Sequence, residues 1–570
     1  MSKLSSMNIK NELLSGLTVA LALVPEAVAF AFVAGVDPIS GLYAAFFVGF
    51  ITSLIGGRPG MISGATGAMA VVMTAFVTIY GIQYLFAAVV VTGIIQAFAG
   101  IFKLGKFIRL LPHPVMLGFV NGLAIVIGLA QFGQFKEGER IIFDDASLSF
   151  ITTSEWLSAS NPALWIMIGF IVLTMAICHF LPKFTKALPA PLVAIIICTL
   201  LASYVPALSS KTVDDVVNSK RKVAAIKVAA IESFDKVKGE SRLSQLAKIG
   251  SDIATVESAK EVKVKQGLEA GLPTFSIPSI TWDFHSLKVI FLLALTLASI
   301  GLIESLMTLS LIDEMTNTRG QGNRECIGQG VANIVTGFFG GMGGCAMIGQ
   351  SMINIKSGGS GRLSGVSAAV FLLIFILFTP ALIGMIPIAA LIGVMFMVVI
   401  ATFEWSSLRL FGKVPKSDIV VIVLVSATTV ILDLAIAVGV GIVLSALVYA
   451  WNTAKALKLE EVGSKTPNEI TCYEITGNIF FGSITNFKSL FNPEDDKDNV
   501  YVDFKGARVC DHSGIEAVHG LSERYKGLGK TLHLRHLSQE CNALLLKAGD
   551  LVEVSMTEDP NYHVADNALG

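Results

Sequence analysis

Apolar runs follow one another almost without a break from Leu14 to Trp451, and the only large interruption lies at about 209–285. A membrane span needs about 20 apolar residues, and fewer when a helix crosses only half of the bilayer. Composition agrees: 53% of the 570 residues are hydrophobic, 15% are charged, and mean hydropathy is +0.70. A soluble globular chain carries about a quarter charged residues, so this is an integral, multi-pass membrane protein. Spans are expected at 14–34, 40–56, 63–80, 84–102, 113–133, 162–181 and 190–207. After the interruption they are expected at 287–311, 325–341, 345–356, 363–381, 385–402, 417–433 and 434–452. The two halves hold seven segments each, and a repeat with an odd number of spans must insert in opposite orientations, as inverted repeats do.

Basic residues orient this array. With the N-terminus inside, the turns on that side hold Arg58; Lys103, Lys106 and Arg109; Lys183 and Lys186; Arg319 and Arg324; Lys356 and Arg362; and Arg409, Lys413 and Lys416. The short turns on the other side carry little beyond Asp37, the 135–155 segment and Asp433. This is the positive-inside pattern, and it places both termini in the cytoplasm of a cell with the protein in its inner (plasma) membrane. Residues 1–13 form a polar cytoplasmic start without a signal-peptide cleavage pattern, so the first apolar run is expected to stay as a span. The 208–286 insertion then lies outside the membrane on the far side. Its 213–269 stretch has an Ala/Lys/Glu composition that suits exposed helix. A net charge of −1 argues against nucleic acid as a partner. The seven cysteines show neither C-x-x-C nor zinc-ligand spacing, so no metal or cofactor is expected.

One stretch is too small and too polar for a lipid-facing helix: Gly340-Gly341-Met342-Gly343-Gly344-Cys345-Ala346-Met347-Ile348-Gly349-Gln350. The glycines loosen the backbone, and a short helix can begin at Cys345 to Met347. The first half repeats the device at Gly56–Gly60 and Gly64-Ala65-Thr66-Gly67-Ala68-Met69. A helix that starts inside a membrane leaves its first N–H groups free and its end electropositive, a natural place for an anion. Two Gly-interrupted segments in corresponding halves point to a transporter site near the midplane. Close helix packing through small residues is the plainer explanation for such glycines.

After Trp451 hydrophobicity becomes short and periodic. A linker at 453–465 and a small α/β domain at 466–560 are expected, with strands at 469–474, 479–481, 500–504 and 531–534 and helices at 513–525 and 538–548.

Several of these motifs are similar to those of a known family. Val24-Pro25-Glu26-Ala27-Val28-Ala29-Phe30-Ala31 resembles the signature of SulP anion transporters, as do Gly328–Asn333, Asn354-Ile355-Lys356-Ser357-Gly358-Gly359 and the segment from Asp418 to Gly439. Val509-Cys510-Asp511-His512-Ser513-Gly514 resembles the STAS domain that follows the membrane part in such proteins. The resemblance covers nearly all of the chain outside the insertion. It implies fourteen segments in two inverted repeats, 14–207 and 287–452, arranged as core and gate domains and commonly working as a homodimer. It also implies secondary transport of sulfate, bicarbonate, chloride or dicarboxylates by H+ or Na+ symport or by exchange. In the family pattern the substrate lies between two half-helix starts, here Thr66, Gly67, Ala68, Met69 and Cys345, Ala346, Met347, Ile348.

Single residues add to this. Thr66 can donate a hydroxyl to an anion, or else bond a carbonyl one turn back. Glu304 is a carboxyl deep in an apolar span, costly to place and therefore functional by default. It can carry a proton, or with Ser305, Thr308 and carbonyl oxygens hold Na+; it matches the family's coupling acid. Glu26, after a proline that can break its helix, lines the path or titrates as a second acid, or else is a carboxyl satisfied at a kink. Phe30 and Phe32 are candidates for an apolar wall. Asn121, Gln131 and Gln350 read as bridges between helices, and Ser513 as an N-cap. No nucleophile–base pair and no phosphate-binding loop occurs, which argues against an enzyme or an ATP-driven pump. The sequence therefore points to a cation-coupled transporter of a small oxyanion, sulfate or bicarbonate. The alternatives are a dicarboxylate or chloride transporter, an anion channel on the same scaffold, or a membrane-anchored STAS signalling protein.

Overall fold

The computed structural model describes residues 9–106, 112–144, 149–184, 189–205, 208, 210–219, 271–410, 412–432, 434–461, 470–538, 541 and 555–557. The expected helices at 213–269 and 538–548 lie largely outside these residues, as do Arg109, Lys186 and Asp433. The chain divides into two compact units, Met1–Gly441 and Ile442–Gly570.

The first unit is helical. Its helices are α1 (Ile9–Ala34), α2 (Pro38–Ile55), α3 (Gly67–Tyr80), α4 (Ile82–Ile101), α5 (His113–Phe132), α6 (Pro162–Phe184) and α7 (Ala190–Tyr204). A second run comprises α8 (Phe284–Thr316), α9 (Gly322–Phe338), α10 (Ile348–Lys356), α11 (Arg362–Phe378), α12 (Ile388–Thr402), α13 (Lys416–Ile431) and α14 (Leu434–Lys455), the last crossing into the second unit, with two further short helices at Pro380–Gly384 and Ser406–Arg409. Among the described residues, eight helices are long and apolar enough to cross a membrane: those at Ile9–Ala34, Pro38–Ile55, Ile82–Ile101, His113–Phe135, Pro162–Phe184, Phe284–Thr316, Ile388–Arg409 and Ile436–Lys455. The fold is that of a helical multi-span membrane protein.

Boundaries follow from local chemistry. Asp37 caps α2 by accepting from the Ile39 N–H, and Pro38 sits in the first turn, where its missing N–H costs nothing. Asp283 caps α8, and Asn317 ends it in the left-handed region. Pro25 does not break α1, which runs on to Ala34.

Packing pairs the helices across the two runs: α4 against α9, α2 against α11, α1 against α11, α4 against α8, α5 against α13 and α6 against α12. Exchanging the two runs, α1 for α8 through α7 for α14, maps these pairs onto one another. Small residues permit the closest crossing. A Cβ at Gly93 of α4 would lie 2.4 Å from the Gly330 carbonyl oxygen of α9, and one at Gly330 would lie 2.5 Å from the Ala97 nitrogen.

Polar side chains tie the loops at one end of these helices. Glu12 accepts from the N–H groups of Ser360, Gly361 and Ser364. Arg362 donates to the carbonyls of Ser53, Leu54 and Gly56, completing the end of α2. Arg58, expected among the basic residues of a turn, is buried and paired with Asp313 at 3.2 Å. The 135–155 segment, expected as a turn, forms an antiparallel hairpin of β2 (Lys136–Asp144) and β3 (Ser149–Trp156), numbered after the short β1 described below.

The second unit carries a five-stranded sheet in the order β5-β6-β7-β8-β9. These strands are β5 (Lys458–Glu461), β6 (Ile470–Ile479), β7 (Asn499–Val509), β8 (Thr531–Arg535) and β9 (Ser555–Thr557). β5 is antiparallel to β6 and the rest are parallel. The expected linker thus contributes an edge strand, and the strand expected at 479–481 is the end of β6 followed by a turn. Alternation drives the burial of Val500, Val502 and Phe504 in β7, against Val518 and Leu521 of the helix α16 (His512–Gly527) and Phe487 of the short α15 (Ile484–Ser489). Asp511, not Ser513, caps α16 by accepting from Gly514. Buried Tyr525 and half-buried Tyr473 both donate to the Asp496 carboxylate. Burial, reinforced by that carboxylate, pushes both phenols well above the usual tyrosine range.

Candidate functional site

Two strands of two residues each meet in the middle of the helical unit. In β1 (Ser63–Gly64) and β4 (Cys345–Ala346), Ser63 lies opposite Ala346 and Gly64 opposite Cys345, antiparallel. The Met347 N–H adds a bond to the Ile62 carbonyl at 2.9 Å. Glycine is required here: Gly343 has φ +78°, and a Cβ on Gly344 would sit 2.0 Å from the Gly64 oxygen. The Asn333 side chain on α9 holds Gly344 from behind, accepting from its N–H at 2.9 Å and donating to its carbonyl at 3.0 Å. Gln329, one turn earlier, donates to Ser63 Oγ at 2.8 Å.

Each strand leads at once into a helix. Thr66 is the N-cap of α3 and Met347 that of α10, and neither side chain makes a capping bond. The first intrahelical bonds run from Ala70 N–H to the Thr66 carbonyl and from Ser351 N–H to the Met347 carbonyl. The amides of 67–69 and 348–350 therefore lack partners within their helices, and both electropositive ends come together.

A cavity of about 80 Å³ opens between these ends. Thr66, Gly67 and Ala68 line it from α3, and Met347 and Ile348, with Gly349 and Gln350, from α10. Glu26 and Phe30 of α1 and Glu304 and Met307 of α8 complete one wall. The facing wall is Phe119, Leu123 and Ile127 of α5 with Val398 and Thr402 of α12. Its polar members are Glu26, Thr66, Glu304, Gln350 and Thr402, and no basic side chain is among the described lining residues.

The acid is held by a hydrogen-bonded chain. Cys345 Sγ donates to Glu304 Oε2 at 3.0 Å and lies 3.2 Å from Thr66 Oγ1, so the thiol links the two residues. The three residues are buried, at 8% exposure for Glu304, 1% for Thr66 and 0% for Cys345. The Gln350 side chain lies beside the Glu26 carboxyl.

Most of the residues chosen from sequence thus converge. The exceptions are instructive. Met69 is buried but does not line the cavity, and its sulfur packs near Gly301. Cys345 and Ala346 belong to the strand, so α10 starts later than expected, at Ile348. Ser305 Oγ accepts from the Ala346 N–H at 3.1 Å, and Thr308 donates to the Glu304 carbonyl at 2.8 Å, so both hydroxyls serve the backbone. Phe32 is buried away from the lining set. Asn121 bridges helices as expected, through Ser407 and the Glu404 N–H, while Gln131 only bonds Ile127 of its own helix. The apolar wall on α5 and α12 was invisible in sequence, because an apolar residue facing a cavity reads like one facing lipid. Among the described residues no cluster of His, Cys, Asp and Glu is placed to hold a metal ion.

Comparison with known proteins agrees with this architecture. The family model described as "Sulfate permease family" matches residues 9–425, and the STAS domain model matches 462–560. YbaR of Bacillus subtilis, a protein whose given name is that of a sulfate transporter, is 40% identical over 94% of this chain and 96% of its own. The bicarbonate transporter BicA of a Picosynechococcus species is 30% identical over 77% of this chain and 70% of its own. The structure of the murine anion transporter Slc26a9 in its inward-facing state superposes with a TM-score of 0.70 over 96% of this chain and 89% of that one, at 15% identity, which speaks for the fold alone. The chain belongs to the sulfate permease family of membrane transporters and carries a STAS domain after its membrane part.

Proposed function

We propose that this protein is a secondary active transporter of a small inorganic oxyanion, sulfate or bicarbonate, moved by cation-coupled symport or exchange. The observation that carries this reading is the meeting of the α3 and α10 N-termini at one small cavity beside a buried carboxyl. Backbone amides at two helix ends bind an anion without a cationic side chain, and Thr66 adds a hydroxyl donor. The names of YbaR and BicA supply the two candidate substrates.

Glu304 is the coupling group. Its carboxyl accepts from the Cys345 thiol, whereas a sodium ion requires a shell of oxygen acceptors. Ser305 and Thr308 are already committed to backbone bonds. These neighbours favour H+ over Na+. Protonation of Glu304 neutralises a negative charge beside the anion, so proton and anion assist each other's binding.

The helix pairing that survives exchange of α1–α7 with α8–α14 supports two inverted repeats. One bundle, α1–α4 with α8–α11, carries the helix ends and both acids. The other, α5–α7 with α12–α14, supplies the apolar wall. Movement of the first bundle past that wall opens the cavity to each side in turn. The basic turns support a cytoplasmic location for both termini.

The test is uptake of labelled sulfate and bicarbonate into proteoliposomes under a proton or a sodium gradient. Accumulation driven by pH alone is expected. Accumulation that requires sodium would make Glu304 a cation ligand, and no uptake of either anion would contradict the proposal.

A further inference from the structure

The cavity offers hydrogen-bond acceptors as well as donors, and that combination discriminates between anions. Glu26 on α1 and Gln350 on α10 both line it, with the Gln350 side chain beside the Glu26 carboxyl. A carboxylate only accepts, so what Gln350 can offer it is the amide nitrogen. Gln350 Oε1 is then left without a partner, although the residue is 1% exposed. A buried acceptor with no donor is costly, and this one belongs to a residue on the wall of a cavity. The Glu26 carboxylate has lone pairs beyond any that Gln350 can use. The site therefore joins donors, at the two helix ends and Thr66, to an unsatisfied acceptor pair, with two carboxyl groups and no cationic side chain among the described lining residues.

We infer that the Glu26–Gln350 pair is a specificity element that selects oxyanions carrying a proton of their own, hydrogen-bond-donating monoanions of the bicarbonate type, over fully deprotonated ones such as sulfate or nitrate. A dianion beside two carboxyls in a poorly solvated cavity meets like charge with no counter-ion. A monoanion with an O–H directs its charged oxygens to the helix ends and gives its hydrogen to Gln350 Oε1 or Glu26. Nitrate matches bicarbonate in charge and planarity but has no hydrogen, so it leaves those acceptors unpaired. Sites built around such a hydrogen bond reject the analogue that lacks it. This inference rests on the reading of the cavity as the anion site.

The experiment is ligand-dependent thermal stabilisation of the purified full-length protein at constant ionic strength, with bicarbonate, nitrate and sulfate as the probes. Bicarbonate is expected to bind about tenfold or more tightly than nitrate or sulfate, the scale of one buried hydrogen bond to a charged partner. Gln350→Met, which keeps the length but removes the acceptor, is expected to narrow the bicarbonate-to-nitrate ratio to about threefold or less. Glu26→Gln, on a different helix, is expected to raise sulfate affinity relative to bicarbonate. Equal affinities for bicarbonate and nitrate in the unaltered protein, or tightest binding of sulfate, would overturn the selectivity while leaving the cavity as an anion site. Ala68→Leu, which fills the cavity, separates the two ideas. Stabilisation that persists in it for all three anions, or is absent for all three in the unaltered protein, overturns the site reading and this inference with it.

Discussion

Glu304 sits 41 residues from Cys345 in sequence yet shares a hydrogen bond with it, and Thr66, a further 238 residues back, completes the chain. If this chain carries the coupling proton, Glu304→Gln keeps the size and hydrogen-bonding capacity but removes the titration. Proton-driven accumulation should be lost while anion exchange continues. Concentrative uptake that survives this change would contradict the role. Cys345→Ala removes one donor from the acid and should weaken anion binding by about threefold to tenfold, the cost of a hydrogen bond of about 0.5–1.5 kcal/mol. Cys345→Ser, which keeps a donor, should restore most of it, and titration of both variants with the transported anion reads the difference. Glu304 was legible in sequence because a carboxylate in an apolar span has few structural excuses. Gln350 was read as a bridge between helices; the role inferred for it here depends on its unpaired oxygen, which only the fold reveals. The thiol of Cys345 carried no signal at all, since a lone cysteine in an apolar run reads as packing.

At the level of elements, the decisive unit is the β1–β4 pair that presents α3 and α10 to one cavity. Gly344→Ala would drive a methyl group to 2.0 Å from the Gly64 oxygen, and the nearest atoms are all backbone of Gly64 and Ala65, with no flexible side chain among them to yield. The expected loss is about 3 kcal/mol, the upper range for overpacking, visible as a large fall in melting temperature together with lost anion binding; an unchanged melting temperature would mean that the two strands do not meet. Helix placement followed the hydrophobic runs closely, because in a membrane each run must satisfy its own backbone. The strands were not legible. Two residues are too few for an alternating pattern, and their partners lie in the other half of the chain. β5, with its Lys-Leu-Glu-Glu sequence, reads as linker because an edge strand exposed on most of its residues has no apolar stripe.

Over the whole molecule, the membrane unit and the STAS unit are separable claims. Every described residue that lines the cavity lies in the first unit, so removal of residues 460–570 should leave anion binding within about threefold of the full chain, whereas a membrane-anchored signalling protein would lose its function altogether. Within the STAS unit, Tyr525→Phe removes one of two donors to Asp496 and should raise hydrogen exchange in β7 and α16 by the equivalent of about 1 kcal/mol. The sequence reads as seven segments twice over, but the pairing of α4 with α9 and of α2 with α11 was not legible in it, because small residues at 93 and 330 say only that something comes close. The most direct measurement is a density map of the full protein in lipid nanodiscs at saturating bicarbonate. A planar anion is predicted between the amides at the starts of α3 and α10, within hydrogen-bond distance of Thr66 Oγ1. Ordered anion density elsewhere in the membrane unit, with this cavity holding only water, would contradict it.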